Sequence, residues 1–265
     1  MPAVRQITTI DHPRNLADER DQHAHDPEKI HTLRLKVEQL KTHQTAGNKQ
    51  PYTIRELAIA LSELSEALIE VQGLAEARKR INESLTFFRQ LQAALGDSPQ
   101  VLRDLSVALN NLGDVERQSG RLDAARAAYE ESLALFRDIQ AALGDSPEVL
   151  RDLSVSLNQL GDVEQQSGRL DAARAAYEES LALCRQLQAA LGDSPQVLRD
   201  LSASLDRLGD VERQSGRLDA ARAAYAEALE LAHRLNQLLD DGPNTMALET
   251  KPLEQKLACI AQKKP

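Results

Sequence analysis

The stretch "LNNLGDVERQSGRLDAARAAYEESLAL" (Leu109–Leu135) decides the fold, because nearly the same letters return 48 residues later. Residues 98–145 (repeat 2) and 146–193 (repeat 3) differ at seven positions, which leaves 41 of 48 identical. Residues 194–241 (repeat 4) and the more diverged 50–97 (repeat 1) extend the array. A fixed period of this length is typical of repeat proteins, in which each unit packs on its neighbours.

Each repeat predicts two helices. The first carries leucines at three- and four-residue steps: Leu102, Leu105, Leu109 and Leu112. The second carries a longer apolar stripe: Leu122, Ala125, Tyr129, Leu133, Phe136, Ile139 and Leu143. Both spacings place apolar side chains on one face of a helix. No segment alternates with period two, so no strand is predicted.

The motif "GDSP" recurs at 96–99, 144–147 and 192–195 and offers two interpretations. Gly-Asp-Ser also opens the nucleophile block of GDSL-type hydrolases. A serine nucleophile needs a base, however, and His233, the only histidine after residue 43, lies in a predicted helix. Serine before proline is typical of a helix start, so we expect Ser98, Ser146 and Ser194 to be N-caps.

Three glycines, Gly113, Gly161 and Gly209, lie inside the predicted first helices. A glycine there costs about 1 kcal/mol relative to alanine. Close approach of a neighbouring helix is the simplest compensation, so we expect tight packing at these positions.

The quoted stretch resembles the tetratricopeptide repeat family. The matching residues are Leu112, Gly113, Gly120, Ala125, Tyr129 and Ser132, and they recur in register in repeats 3 and 4. Repeat 1 has Ser65 for the mid-helix glycine and Ile81 for the tyrosine, which predicts different packing there. The family's usual period is about 34 residues, and the extra length here falls in both helices. In "LNNLG" and the lengthened connector the chain looks most like the kinesin-light-chain-like branch.

The resemblance implies an all-α, right-handed solenoid of stacked antiparallel helix pairs. The predicted organisation is a flexible polar tail (1–26), a capping helix (27–47), four repeats (50–97, 98–145, 146–193 and 194–241), and a C-terminal capping helix and tail (242–265). Asp26 is the expected N-cap of the first capping helix, whose apolar stripe is Ile30, Leu33, Val37 and Leu40. The stripe of the second is Leu253, Leu257 and Ile260.

Composition excludes several function classes. The formal net charge of -9 is unfavourable for nucleic acid or an anionic membrane surface. The two cysteines suggest no disulfide or zinc site, and we predict no cofactor and no metal. Five of six histidines fall in the first 43 residues, where a labile metal site is the alternative to a polar tail. No leader or spanning segment is recognised, which predicts a cytoplasmic protein.

The resemblance also implies a binding groove on the inner face of the first helices. Matching the family's groove positions gives Glu66, Asn110, Asp114, Arg117, Asn158, Asp162, Gln165, Asp206, Asp210 and Arg213. Asparagine amides can bracket a peptide amide, and carboxylates favour a partner with basic residues. The alternative is a solvated face on which Asp114 and Arg117 form a local pair. The constant Arg-Asp pairs, such as Arg103-Asp104, predict salt bridges between repeats rather than a ligand ladder.

These features predict a non-catalytic scaffold that binds a peptide or helix of a partner protein on its concave first-helix surface. Two alternatives stay open. Near-identical repeats could support self-assembly into a homo-oligomer, or the array could be a regulatory adaptor for a separately encoded effector enzyme.

Overall fold

The computed structural model describes residues 27–45, 50–239 and 250–262. These residues form ten helices and no strand, which confirms the all-α prediction: α1 Pro27–Thr45, α2 Pro51–Glu70, α3 Leu74–Leu95, α4 Pro99–Gln118, α5 Leu122–Leu143, α6 Pro147–Gln166, α7 Leu170–Leu191, α8 Pro195–Gln214, α9 Leu218–Leu239 and α10 Lys251–Gln262. The predicted tail at 1–26, its Asp26 cap and the Gly242-Pro243 connector lie outside the described residues.

The helices stack in consecutive pairs, as a solenoid requires. The two helices of each repeat pack against each other, and the second helix of each repeat packs on the first helix of the next. The first helix α2 also touches α4, and α4 touches α6, while Arg207 of α8 donates to Asp162 of α6. We call the exposed side chains of α2, α4, α6 and α8 the first-helix face.

The serine caps are confirmed. The Val101 amide donates to Ser98 Oγ at 3.4 Å, and Ser146 and Ser194 accept the equivalent bonds from Val149 and Val197. Proline follows each serine at the first helical position. Each preceding helix ends at a glycine with positive φ, for example +76° at Gly96. The "GDSP" motif therefore ends one helix and starts the next.

The mid-helix glycines make room for tyrosine rings, as expected. A Cβ added at Gly113 would lie 2.3 Å from the buried ring of Tyr129. Equivalent approaches of 2.4 Å occur at Gly161 and Gly209. In repeat 1 the smaller Ile81 leaves space for Ser65, whose hydroxyl donates to the Ala77 carbonyl at 3.0 Å. Glycine with tyrosine in repeats 2 to 4, and Ser65 with Ile81 in repeat 1, are therefore two ways of packing the same pair of helices.

One core prediction is wrong: Leu143 is 56% exposed, although the stripe placed it in the core. Leu95 and Leu191 hold the equivalent positions and are also exposed. The steps of the stripe average 3.5 residues, so Leu143 keeps the helical angle of the fully buried Ala125. Its exposure therefore arises because no neighbouring helix of the described residues covers the last turn of α5.

Terminal helices cover both ends of the stack. On α1, Ile30 and Val37 are buried in the same apolar cluster as repeat 1. On α10, Leu253 and Ile260 are buried in the cluster that contains repeat 4. Since no single repeat can bury its own apolar face, these helices complete the core at each end.

Candidate functional site

The ten predicted site residues all lie on the first helices, one turn apart in three rows. The rows are Asn110, Asn158 and Asp206; then Glu66, Asp114, Asp162 and Asp210; then Arg117, Gln165 and Arg213. The structure connects the rows to one another and to the next repeat.

Buried tyrosines fix three of the second-row carboxylates. The Tyr129 hydroxyl donates to Asp114 Oδ1 at 2.8 Å. Equivalent bonds join Tyr177 to Asp162 at 2.8 Å and Tyr225 to Asp210 at 2.7 Å. Burial and the neighbouring carboxylate raise the pKa of Tyr129 well above its ordinary value, so the phenol stays a proton donor. The glycine–tyrosine contact thus positions the carboxylate row.

Each second-row carboxylate also accepts a hydrogen bond from the next first helix or, at the end, from α10. The pairs are Asn111 Nδ2 to Glu66 at 2.7 Å, Gln159 Nε2 to Asp114 at 3.2 Å, Arg207 Nε to Asp162 at 3.1 Å and Lys256 Nζ to Asp210 at 2.9 Å. We call these four pairs the carboxylate ladder. Its donors change from neutral amides at the N-terminal end to cations at the C-terminal end.

The first row is more enclosed than a binding surface requires. Asn110 is 8% exposed and donates to Ser156 Oγ at 3.1 Å. Asn158 makes the equivalent bond to Ser204 at 3.3 Å. The Oδ1 atoms of both asparagines are buried and have no hydrogen-bond partner within the described residues. Asp206 accepts from Lys256 at 2.6 Å.

The third row makes local contacts. Arg117 lies 3.4 Å from Asp114, so the local pair considered as an alternative does form. Arg213 repeats it with Asp210, also at 3.4 Å. In repeat 3 the neutral Gln165 instead lies 3.1 Å from the Tyr177 hydroxyl.

Lys256 closes the C-terminal end of the ladder. Its ammonium contacts Asp206 and Asp210 and lies 5.3 Å from the centre of the Tyr225 ring. Burial raises the pKa of Asp210, but hydrogen bonds from Tyr225 and Lys256 outweigh it, so this pKa lies below its ordinary value. Burial also opposes the charge of Lys256, yet the two carboxylates raise its pKa. Both charged forms are therefore favoured in this contact.

The Arg-Asp pairs link successive repeats, as predicted. Arg103 reaches Asp152 at 3.0 Å and Arg151 reaches Asp200 at 3.4 Å. In repeat 1, Arg55 donates to Asp104 at 3.0 Å. These arginines and aspartates are therefore bonded to each other between repeats, and the pairs stabilise the stack.

An apolar row on the first-helix face was not predicted. Val107 and Val155 are 44% and 47% exposed, and Ile59 and Ala203 hold the equivalent positions. Val155 lines a cleft of about 370 Å³ together with Asn158, Gln159 and Arg207. The signal was present in the sequence, since these apolar residues recur every 48 positions outside the leucine stripe.

The ladder donors were missed as well. Asn111, Gln159 and Arg207 occupy one position that varies between otherwise similar repeats. Variation at one position among near-identical repeats could have indicated that the residue there has a different role in each repeat.

Within the described residues, no cluster of three or more His, Cys, Asp or Glu side chains could hold a metal ion. Among the helices of this part of the chain, none has the length and apolar character needed to cross a membrane.

Comparisons with known proteins agree with this architecture. Residues 105–139 and residues 152–232 match two sequence models of the tetratricopeptide repeat. BtubC (BKLC) from P. vanneervenii is 18% identical, with a TM-score of 0.66 over 89% of this chain and 82% of that one. A putative kinesin light chain from Podosopora anserina, with nearly identical TPR-like repeats, is also 18% identical, with a TM-score of 0.53 over 83% of this chain and 98% of that one. No curated protein sequence matches.

At this level of identity the solved structures show the fold, while the sequence models show the family of the repeats. Tetratricopeptide repeats generally mediate protein–protein interaction or scaffolding, and their fold is typically non-catalytic. The predicted resemblance is confirmed for the matched segments: residues 105–139 and 152–232 resemble the tetratricopeptide repeat, and the α-solenoid fold is similar to those of BtubC (BKLC) and the putative kinesin light chain.

Proposed function

We propose that the chain is a non-catalytic cytoplasmic scaffold that binds a peptide or helix of a partner protein on its first-helix face. The observation that carries the proposal is the exposed apolar row at Val107 and Val155. A single exposed valine is ordinary, but apolar residues in register in successive repeats offer a continuous contact for a partner segment.

Polar groups beside this row supply specificity. The charged side chains of Arg207 and Asp162 line the same cleft as Val155 and are partly exposed, so a bound segment can contact them. Asn158 and Gln159 also line the cleft, but their amide oxygens are buried. An apolar row flanked by charged groups suits a peptide or a helix better than a small molecule.

The carboxylates are less suitable as test positions than the valines. Asp114, Asp162 and Asp210 hold the tyrosines and the neighbouring helices, so replacing them changes stability together with any binding. Exposed valines on a helix surface can be changed at little cost in folding free energy, within about 0.5 kcal/mol.

The test compares two double variants as baits in a cell extract of the source organism, with bound proteins identified by mass spectrometry. We expect Val107→Arg with Val155→Arg to lose the proteins that the unmodified chain retains. The control, Leu143→Arg with Leu191→Arg, places the same charges on the exposed helix ends, and we expect it to retain them. Retention by the valine variant and loss by the leucine variant would contradict the proposal.

Self-assembly is the second candidate, because Leu95, Leu143 and Leu191 form another exposed row in register. Near-identical surfaces of this kind can associate between copies. Light scattering over a concentration series distinguishes the two: growth that Leu143→Arg abolishes supports assembly, and a constant monomer mass excludes it.

A further inference from the structure

The N-terminal end of the carboxylate ladder has an uncompensated charge. Asp210 contacts Lys256 and Arg213, Asp162 contacts Arg207, and Asp114 contacts Arg117. Glu66 contacts the neutral Asn111 instead, and no cationic side chain of the described residues forms an ion pair with it. One turn further along α2, Ile69 takes the place that Arg117 and Arg213 hold in other repeats.

Other acidic groups around Glu66 already have cationic partners. Glu63 pairs with Lys36 of α1 at 2.9 Å, and Glu70 pairs with Lys29 at 3.6 Å. Glu66 itself is exposed and is held by no tyrosine hydroxyl, because repeat 1 has Ile81 at the tyrosine position. Its carboxylate is therefore available to a ligand.

Glu66 lies beside an apolar cleft of about 260 Å³ between repeats 1 and 2. Ile59, Phe88 and Val107 supply apolar surface, and Glu63 and Glu66 are in the same lining. Four charged side chains line the cleft, and three of them have ion-pair partners outside it: Glu63 with Lys36, Asp104 with Arg55 and Arg103 with Asp152. Glu66 is the carboxylate of this lining that has no cationic partner among the described residues. The combination suits a side chain with an apolar stem and a cationic head.

The opposite end of the molecule shows how such a side chain fits. Lys256 places its ammonium between Asp206 and Asp210, beside the Tyr225 ring. The second-row position therefore accepts a lysine head in this fold. At the C-terminal end α10 supplies that lysine, and at the N-terminal end no lysine or arginine of the described residues forms an ion pair with Glu66.

We infer that the cleft between repeats 1 and 2 takes a lysine or arginine side chain of the bound partner segment, with its cation on Glu66 and its stem on Ile59 and Val107. This inference rests on the proposed binding of a partner segment to the first-helix face. It assigns charge specificity to one end of that face and so orients the partner along the array.

The test uses two synthetic pentapeptides, acetyl-Gly-Leu-Lys-Leu-Gly-amide and its twin with norleucine for lysine. Binding is followed by the methyl NMR signals of Val107 and Val155 up to millimolar peptide. A single partly desolvated ion pair is worth up to about fivefold in affinity, and we expect the lysine peptide to bind tighter by roughly that factor.

Two variants remove the preference by different means. Glu66→Gln removes the charge and keeps an oxygen for Asn111, while Ile69→Arg installs the cation that repeats 2 and 4 contain. We expect both to bind the two peptides equally. Glu130→Gln, an exposed carboxylate on the second helix α5, is the control and should retain the preference.

Equal affinities in the unmodified protein, or a preference that survives Glu66→Gln, would overturn the lysine subsite. Shifts at Val107 in those cases would still support the first-helix face as the binding surface. If neither peptide moves the Val107 or Val155 methyls, both proposals fail.

Discussion

At the two ends of the first-helix face, the equivalent carboxylates have different hydrogen-bond and ion-pair partners. At the C-terminal end, Asp210 is held by Tyr225 and faces Lys256 and Arg213. At the N-terminal end, Glu66 accepts one bond from the neutral Asn111 and has no tyrosine beneath it. Near-identical repeats can thus form a uniform scaffold whose electrostatics change along its length.

The difference follows from substitutions at few positions. The ladder donor changes from Asn111 through Gln159 to Arg207, while the helices and the core leucines stay in register. Because the donor sits on the neighbouring helix, one substitution changes the surroundings of a carboxylate in another repeat. Charge is therefore adjusted without disturbing the fold.

The largest expected effect concerns the glycine–tyrosine contact, which repeat 1 lacks. Gly161→Ala places a methyl group 2.4 Å from the Tyr177 ring. We expect a loss of about 1–3 kcal/mol in the free energy of unfolding, typical of overpacking. Adding Tyr177→Ile, the isoleucine of repeat 1, should recover part of it. Urea unfolding followed by circular dichroism measures both; an unchanged midpoint in Gly161→Ala would be inconsistent with the contact.

A smaller effect is expected when the C-terminal lysine is removed. Lys256→Met keeps the apolar stem and deletes the ammonium that joins α10 to Asp206 and Asp210. We expect the amide hydrogens of α10 to exchange about fivefold faster, since a partly exposed ion pair contributes up to about 1 kcal/mol. Lys36→Met, which breaks the more exposed pair with Glu63, is the matched control at the other end. An equal acceleration of exchange in α10 of Lys256→Met and in α1 of Lys36→Met would contradict the difference between the two ends of the first-helix face.

The same contact predicts a pH dependence. The pKa of Asp210 is lower in the folded protein, so the stability it contributes is complete above the ordinary carboxyl pKa of about 3.9. That contribution is lost as the pH falls through the lowered value. After correction for the intrinsic pH dependence of amide exchange, the amide hydrogens of α10 should therefore exchange faster in acid. This acceleration should be smaller in Lys256→Met. An identical acid response in both proteins would argue against the ion pair.

The smallest effect is expected at the N-terminal end. Glu66→Gln should change the free energy of unfolding by less than about 0.5 kcal/mol, as for most surface substitutions. Asp210→Asn should cost more, because it affects a carboxylate bonded to Tyr225 and Lys256. Thermal unfolding of the two variants side by side measures the contrast. If Glu66→Gln were the more destabilising change, its carboxylate would be structural rather than available.

Much of the fold could be predicted because the local signals repeat. Ser98 before Pro99, a mid-helix glycine and a tyrosine at a fixed interval each predict a particular contact, and repetition makes chance agreement improbable. Leu143 shows the limit of that reasoning. Its position in the stripe could be read from the sequence, but whether a neighbouring helix covers the last turn depends on tertiary packing.

The candidate site was less predictable for a related reason. The first-helix rows could be located from the sequence, yet Asn110 faces Ser156 in the next repeat, and Asp114 is held by Tyr129 and Gln159. Such partners depend on how one repeat rotates on the next, which a single-helix pattern does not contain. Val107 could be identified as apolar from the sequence, but its exposure depends on how the repeats stack.

The most direct test of the central claim places a photoreactive benzoylphenylalanine at position 107, 203 or 143 and identifies the crosslinked residues of a captured partner. Positions 107 and 203 are equivalent points near the two ends of the first-helix face, and position 143 lies on an exposed helix end. We predict crosslinks from position 107 to a segment containing lysine or arginine, fewer from 203, and none from 143. Crosslinks from position 143 with none from 107 would contradict the account.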